Sequence, residues 1–357
     1  MIAEIGSGPP PAADEMIDEP NCLAMPGLVN AHDHMYQWAT RGYVPDGTLF
    51  EWLRALYPVW ARIDADTVRV AARAAIANLL LSGCTLSTDH HYVFPHRRPG
   101  IFEALVDAAR EPCSPFSVTP QLMRDSAELA RRHEVRLHTH LAETLDEERF
   151  CVEKFGMRPF ELMEDLGWTG DDVWYAHAIH LSDAEVDRIA EVHTGVAHCP
   201  SSNMRLGAGA CRVEDLVRAG ARVGLGVDGS ASNEDANLAM EAHQALLLAR
   251  VRNASPQALD ARTAWRLATK GGAECLGRDD CGTLEPGKCA DVVCFRVDDL
   301  AHAGIKDLLA GLALAPPARA QTVIVNGRAV VRGGRLLTAD EDQVAREIAA
   351  TSRRLAG

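Results

Sequence analysis

From residue 22 onward, short runs of apolar, β-favouring residues alternate with stretches whose apolar positions recur at helical spacing. That pattern builds βαβ units around a parallel sheet. The segment DADTVRVAARAAIANLLLSG opens on Asp64 as an N-cap and stops at Gly83, which predicts a helix between them. CTLSTDHH then reads as a strand. TPQLMRDSAELARRH places Thr119 as the cap and Pro120 at the first helical position, ahead of the strand VRLHTHLAE. The rhythm returns in VWYAHAIHL, in LSDAEVDRIAEV with Ser182 and Glu185 in capping-box register, in TGVAHCPSSN and in RVGLGVDGS.

Each of these strands delivers polar residues at its C-terminal end, where (β/α)8 barrels keep their active sites. The expected fold is therefore α/β, a (β/α)8 TIM-type barrel over residues 26–282. CADVVCFRV and QTVIVNGRAVVRGGRL alternate instead with period two around an Asn326–Gly327 turn. They predict a small β-sandwich domain assembled from the two termini, residues 1–25 and 283–357, the second piece ending in a helix. Counting units leaves the barrel about one βα unit short. After CTLSTDHHYVFP the helix-like GIFEALVDAAR runs directly into EPCSPFSVTP, which puts a seam at Arg110–Glu111.

Composition narrows the function. The 357 residues are 47% hydrophobic and 24% charged, ordinary for a globular protein. A formal net charge of −14 argues against nucleic acid or an anionic membrane as partner and favours a small molecule. Ten scattered cysteines without a regular framework, no signal-peptide pattern and no apolar run approaching ~20 residues read as a reduced, cytoplasmic chain with no membrane anchor. Homo-oligomerisation stays open.

Four strand ends carry the candidate chemistry. In VNAHDHMYQ, His32 and His34 follow the apolar run Cys22–Val29; two apart on a strand, they aim the same way. HTHLAE repeats the spacing with His138 and His140 and adds Glu143; YAHAIH supplies His177 and His180; GLGVDGSAS supplies Asp228. Singly each has an ordinary structural reading, such as a hydrogen-bonded core histidine or a turn-forming Asp before Gly229. Four such ends in one barrel pattern point instead to a metal centre. Neutral imidazoles with a carboxylate suit one divalent ion, zinc or iron, which lowers the pKa of a bound water toward ~7, and Glu143 and Asp228 can move protons beside it.

The order His-x-His, His-x-x-Glu, Ala-His, Val-Asp-Gly resembles the amidohydrolase superfamily, in its cytosine/guanine-deaminase-like branch. PGLVNAHDHMYQ, LHTHLAET, VWYAHA, TGVAHCPSSNMRL and RVGLGVDGSASN are most similar to the 8-oxoguanine deaminases, with isoxanthopterin deaminases and triazine hydrolases as relatives. The resemblance runs from about residue 20 to residue 340 and implies hydrolysis of a cyclic amidine C–N bond, 8-oxoguanine giving urate and ammonia, with pterins or triazines as the alternative. It implies His32, His34, His140 and Asp228 as metal ligands. Glu143 would pass a proton to a ring nitrogen, His177 would polarise the water or the attacked carbon, and Asp228 would take the water's proton. Gln37 and Asn203 become candidates for binding the purine edge, whereas His138 and His180 fall outside the matched positions and read as structural. The family carries a further strand-helix segment where Arg110–Glu111 meet, and MIAEIG resembles the middle of its small β domain. Taken at face value, these gaps allow a non-catalytic remnant as the rival reading.

Other patterns carry less. GSGPPP and GAGACR lack the lysine and spacing of phosphate loops. His90 and His91 in STDHHY read as supports at the pocket mouth, and Cys199 as an inert thiol.

Overall fold

The computed structural model describes residues 1–8, 12–96, 100–101 and 119–357. The expected seam at Arg110–Glu111 lies outside them. The described strands are β1 (Cys22–Pro26), β2 (Leu28–Asn30), β3 (Cys84–Ser87), β4 (Leu137–Leu141), β5 (Val173–His177), β6 (Gly195–His198), β7 (Arg222–Leu225), β8 (Val292–Arg296), β9 (Thr322–Val325), β10 (Arg328–Arg332) and β11 (Arg335–Leu336).

They form two sheets. Six strands pair in parallel in the order β3-β2-β7-β6-β5-β4, the curled sheet of a TIM-type barrel. Because β2 pairs with both β3 and β7, the first and last strands of this sheet lie side by side, as barrel closure requires. The other five strands form an antiparallel sheet ordered β1-β8-β9-β10-β11, so the small β domain does draw on both ends of the chain. Asn326 and Gly327, both at positive φ (48° and 82°), make the expected turn between β9 and β10.

Helices begin where their caps predict. Asp64 accepts the Thr67 N–H at 2.8 Å and opens Ala65–Leu81; Thr119 accepts the Leu122 N–H and opens Pro120–Arg132; Ser182 and Glu185 cap each other at the start of Asp183–Glu191. No described helix is long and apolar enough to cross a membrane.

The apolar run Cys22–Val29 is divided. At Pro26–Gly27 the chain steps from the antiparallel sheet into the barrel, and a Cβ at Gly27 would lie 2.1 Å from Thr85 Oγ1. The barrel strand ends at Asn30, so His32 and His34 stand just beyond it rather than within it. Bonds from Ala31 N to Leu225 O (2.9 Å) and from Asp228 N to His32 O (3.0 Å) continue the alignment with the β7 segment. A short helix, Gly272–Cys275, packs its backbone directly on the sheet: a Cβ at Gly272 would come within 2.5 Å of Val29 O.

Candidate metal centre

The C-terminal ends of the parallel strands converge on one polar cluster. His32 and His34 follow β2, His140 lies on β4, His177 ends β5 and Asp228 follows β7. His32 Nε2 and His34 Nε2 sit 3.2 and 3.3 Å from the same oxygen, Asp228 Oδ1, and His34 Nε2 is 3.1 Å from His140 Nε2. The four residues expected as ligands are thus gathered at one point. Two overlapping ligand groupings fit an ion there: His32, His140, His177 and Asp228, or His32, His34, His90 and His140. His177 and His90 are therefore within reach as well.

The donor set fits a cation. His34 Nδ1 lies 2.5 Å from the carbonyl of His90; a carbonyl only accepts, so the proton is on Nδ1 and Nε2 is bare. His32 Nε2 is buried without a hydrogen-bond partner. Bare nitrogens crowded against a carboxylate repel unless positive charge sits among them, and buried polar groups are otherwise paired. Burial holds His32 below the usual imidazole range and His34 and His140 well below it, which keeps the rings neutral as ligands must be. Ser202 Oγ donates to Asp228 Oδ2 at 2.5 Å, Ser232 Oγ donates to the same oxygen at 3.2 Å, and Gly229 N–H donates to Oδ1 at 2.7 Å.

Beside this cluster stand the proton-moving groups. Glu143 Oε2 is 3.8 Å from His177 Nε2. Burial raises Glu143; for His177 burial acts downward, but Glu143 and Asp228 outweigh it and the net shift is upward. His177 Nδ1 donates to Asn203 Oδ1 at 2.9 Å, which turns Nε2 toward Glu143. His177 and Asp228 both adopt left-handed backbone (φ 71° and 59°), uncommon for non-glycine residues and concentrated at functional sites.

A cleft opens onto the cluster, with Trp52, Tyr57, Tyr92, Leu49, Leu53 and Leu206 as apolar walls and His34, His140, Glu143, His177, Asp228, Ser232 and Gln37 as polar lining. Gln37 Oε1 is buried without a partner. Asn203 does not line the cleft; it stands behind His177. His180 is tied to Ala208 O and His91 to Val93 O, at 2.9 and 2.8 Å. Burial raises the Cys199 thiol well above its usual range, leaving it unreactive. Ser202 and Ser232 were not singled out in the sequence, although SSN after His198-Cys199 and SAS after Asp228-Gly229 mark where the hydroxyls come from.

The amidohydrolase family model matches residues 23–113 and 98–330. The chain belongs to the amidohydrolase family. The two matched stretches overlap at 98–113, around Arg110–Glu111. This amidohydrolase is similar to 8-oxoguanine deaminase from Pseudomonas aeruginosa, at 41% identity covering 100% of this chain and 93% of that one. The comparison spans 420 residues against 357 here, so the Pseudomonas protein has residues without a counterpart in this chain. Among solved structures, an adenosine deaminase from Xanthomonas campestris with bound zinc superposes with a TM-score of 0.89 at 28% identity, covering 94% of this chain and 87% of that one. Atrazine chlorohydrolase from Arthrobacter aurescens TC1 complexed with zinc gives 0.87 at 29% identity, covering 93% and 88%. The protein is accordingly a hydrolase with a centre able to hold one metal ion, and its structural neighbours are crystallised with zinc.

Proposed function

We propose that this amidohydrolase removes the exocyclic amino group of an oxidised purine by hydrolysis, converting 8-oxoguanine and water to urate and ammonia. The observation that carries the substrate choice is the full-length similarity to the Pseudomonas 8-oxoguanine deaminase. The cleft supports it: aromatic walls at Trp52 and Tyr92 suit a flat heterocycle, and the unused acceptor of Gln37 suits a ring N–H. The reducing cytoplasm is a consistent setting, since every described cysteine is free.

His32, His34, His140 and Asp228 would hold the ion, which supplies Lewis acidity and a water of lowered pKa. Glu143, whose proton affinity burial raises, delivers a proton to the ring nitrogen next to the amino-bearing carbon and makes that carbon electrophilic. His177, held by Asn203 through Nδ1, would donate from Nε2 toward the oxygen developing at the same carbon as the imidazolium, the form that Glu143 and Asp228 favour. Ionised Asp228 would take one proton of the water and pass it to departing ammonia, and the water's second proton would restore Glu143 as the carbonyl forms, with Ser202 and Ser232 steadying the Asp228 oxygen that faces away from the imidazoles.

The test is a substrate panel on metal-analysed protein. Ammonia and urate should form from 8-oxoguanine in equal amounts, with close to one ion per chain, and the His32→Ala/His34→Ala double variant should lose the ion. Turnover of isoxanthopterin or an aminotriazine with 8-oxoguanine inert would overturn the substrate; an unchanged metal content in the double variant would overturn the ligand set.

A further inference from the structure

We infer that His138 is a positioning residue that sets the tautomer and direction of His32, so that the bare Nε2 of His32 faces the ion. This rests on the reading of His32 as a ligand. The argument begins at a carbonyl. His138 Nδ1 lies 2.8 Å from Trp174 O, and because that oxygen only accepts, the proton of His138 is on Nδ1 and its Nε2 is an acceptor. His32 Nδ1 is 2.8 Å from that Nε2, so His32 must donate from Nδ1. A neutral His32 then has no proton on Nε2, the atom 3.2 Å from Asp228. One backbone oxygen therefore dictates, through two buried rings, which nitrogen of His32 is free to bind.

Direction is controlled as well as protonation. The His138 ring stacks on the Trp174 indole at 4.4 Å with 9° between planes. The same indole donates from Nε1 to Ala31 O at 3.0 Å, the residue immediately before His32. Trp174 thus grips both the backbone that carries His32 and the ring that orients it. Partners behind a metal-binding imidazole typically change metal affinity ~10–100-fold when lost.

Two variants separate this role from packing. His138→Gln can accept from His32 and donate to Trp174 O but loses the aromatic stack; His138→Phe keeps the stack and can do neither. The expected result is zinc retention against a chelator close to the parent for Gln and weakened ~10–100-fold for Phe, with thermal midpoints of the metal-free proteins recorded alongside. Phe binding zinc as tightly as the parent, or Gln no better than Phe, would overturn the proposal. A second readout needs no variant: 15N spectra of the native zinc-loaded protein should show His32 protonated at Nδ1, and a proton at Nε2 would overturn it. If the His32/His34 double variant keeps its zinc, the ligand reading fails and this inference with it. If the double variant loses zinc while His138→Phe retains it, only the positioning role fails.

Discussion

Glu143 and Glu147 show how two buried carboxyls, one just before a helix and one in its first turn, do different work. Glu143 faces the cleft, and Glu143→Gln should keep the metal yet lose ~10²–10⁴-fold in turnover, because an amide cannot deliver a proton; a rate near the parent's, measured by ammonia release, would assign the step elsewhere. Glu147 instead accepts the Glu143 N–H at 2.9 Å, and burial pushes it up to about 7 from 4.5. The folded state therefore holds a proton that the unfolded chain releases from pH 4.5 upward. Its contribution is fully present below that pH and is lost as pH rises toward 7. Glu147→Gln still offers an acceptor to Glu143 N–H and should flatten the loss, by on the order of 1 kcal/mol per pH unit at most, read as denaturant midpoints at pH 5 and pH 8. The gathering of His32, His34, His140 and Asp228 was legible because strand ends bring His-x-His and Val-Asp-Gly to one rim. The contact between His32 and His138 was not, because it joins the segment after β2 to β4, strands that are not neighbours in the sheet, and only the sheet's curvature brings the rings together.

At the level of elements, legibility followed locality. Asp64, Thr119 and Ser182 start their helices where expected because a cap is satisfied by atoms three residues away. The division of Cys22–Val29 at Pro26–Gly27, beside the expected boundary between residues 25 and 26, is fixed by partners some 60 and 270 residues distant. The glycines under the sheet are similar. Gly272 has ordinary helical dihedrals, yet a Cβ there would meet the carbonyl of Val29 at 2.5 Å, in the strand that leads into the first two histidines. Gly272→Ala should cost about 1–3 kcal/mol and also loosen zinc, since relief of the clash displaces β2. An unchanged thermal midpoint with unchanged zinc retention would show that the helix can move away freely.

At the scale of the molecule, β3 and β4 each pair on one side only among the described residues, while the family match divides at 98–113 and the Pseudomonas relative is longer. These facts support a barrel shortened between its second strand and the strand of His140. A family-type strand-helix segment inserted between Arg110 and Glu111 should therefore raise the thermal midpoint and slow zinc loss to a chelator. No gain in either would mean that the shorter chain satisfies those edges by itself. The pairing of β1 with β8 also has a consequence for how the protein is made. A ribosome adds ~5–20 residues per second, and His32 and His34 are among the first to emerge. Their strand gains its β7 neighbour only after Leu225, and the preceding strand is anchored only after Arg296. The earliest-synthesised half of the cluster thus waits for most of the chain, and a nascent polypeptide released before Arg296 carries His32, His34, His140 and Asp228 while lacking the full partner strand of β1.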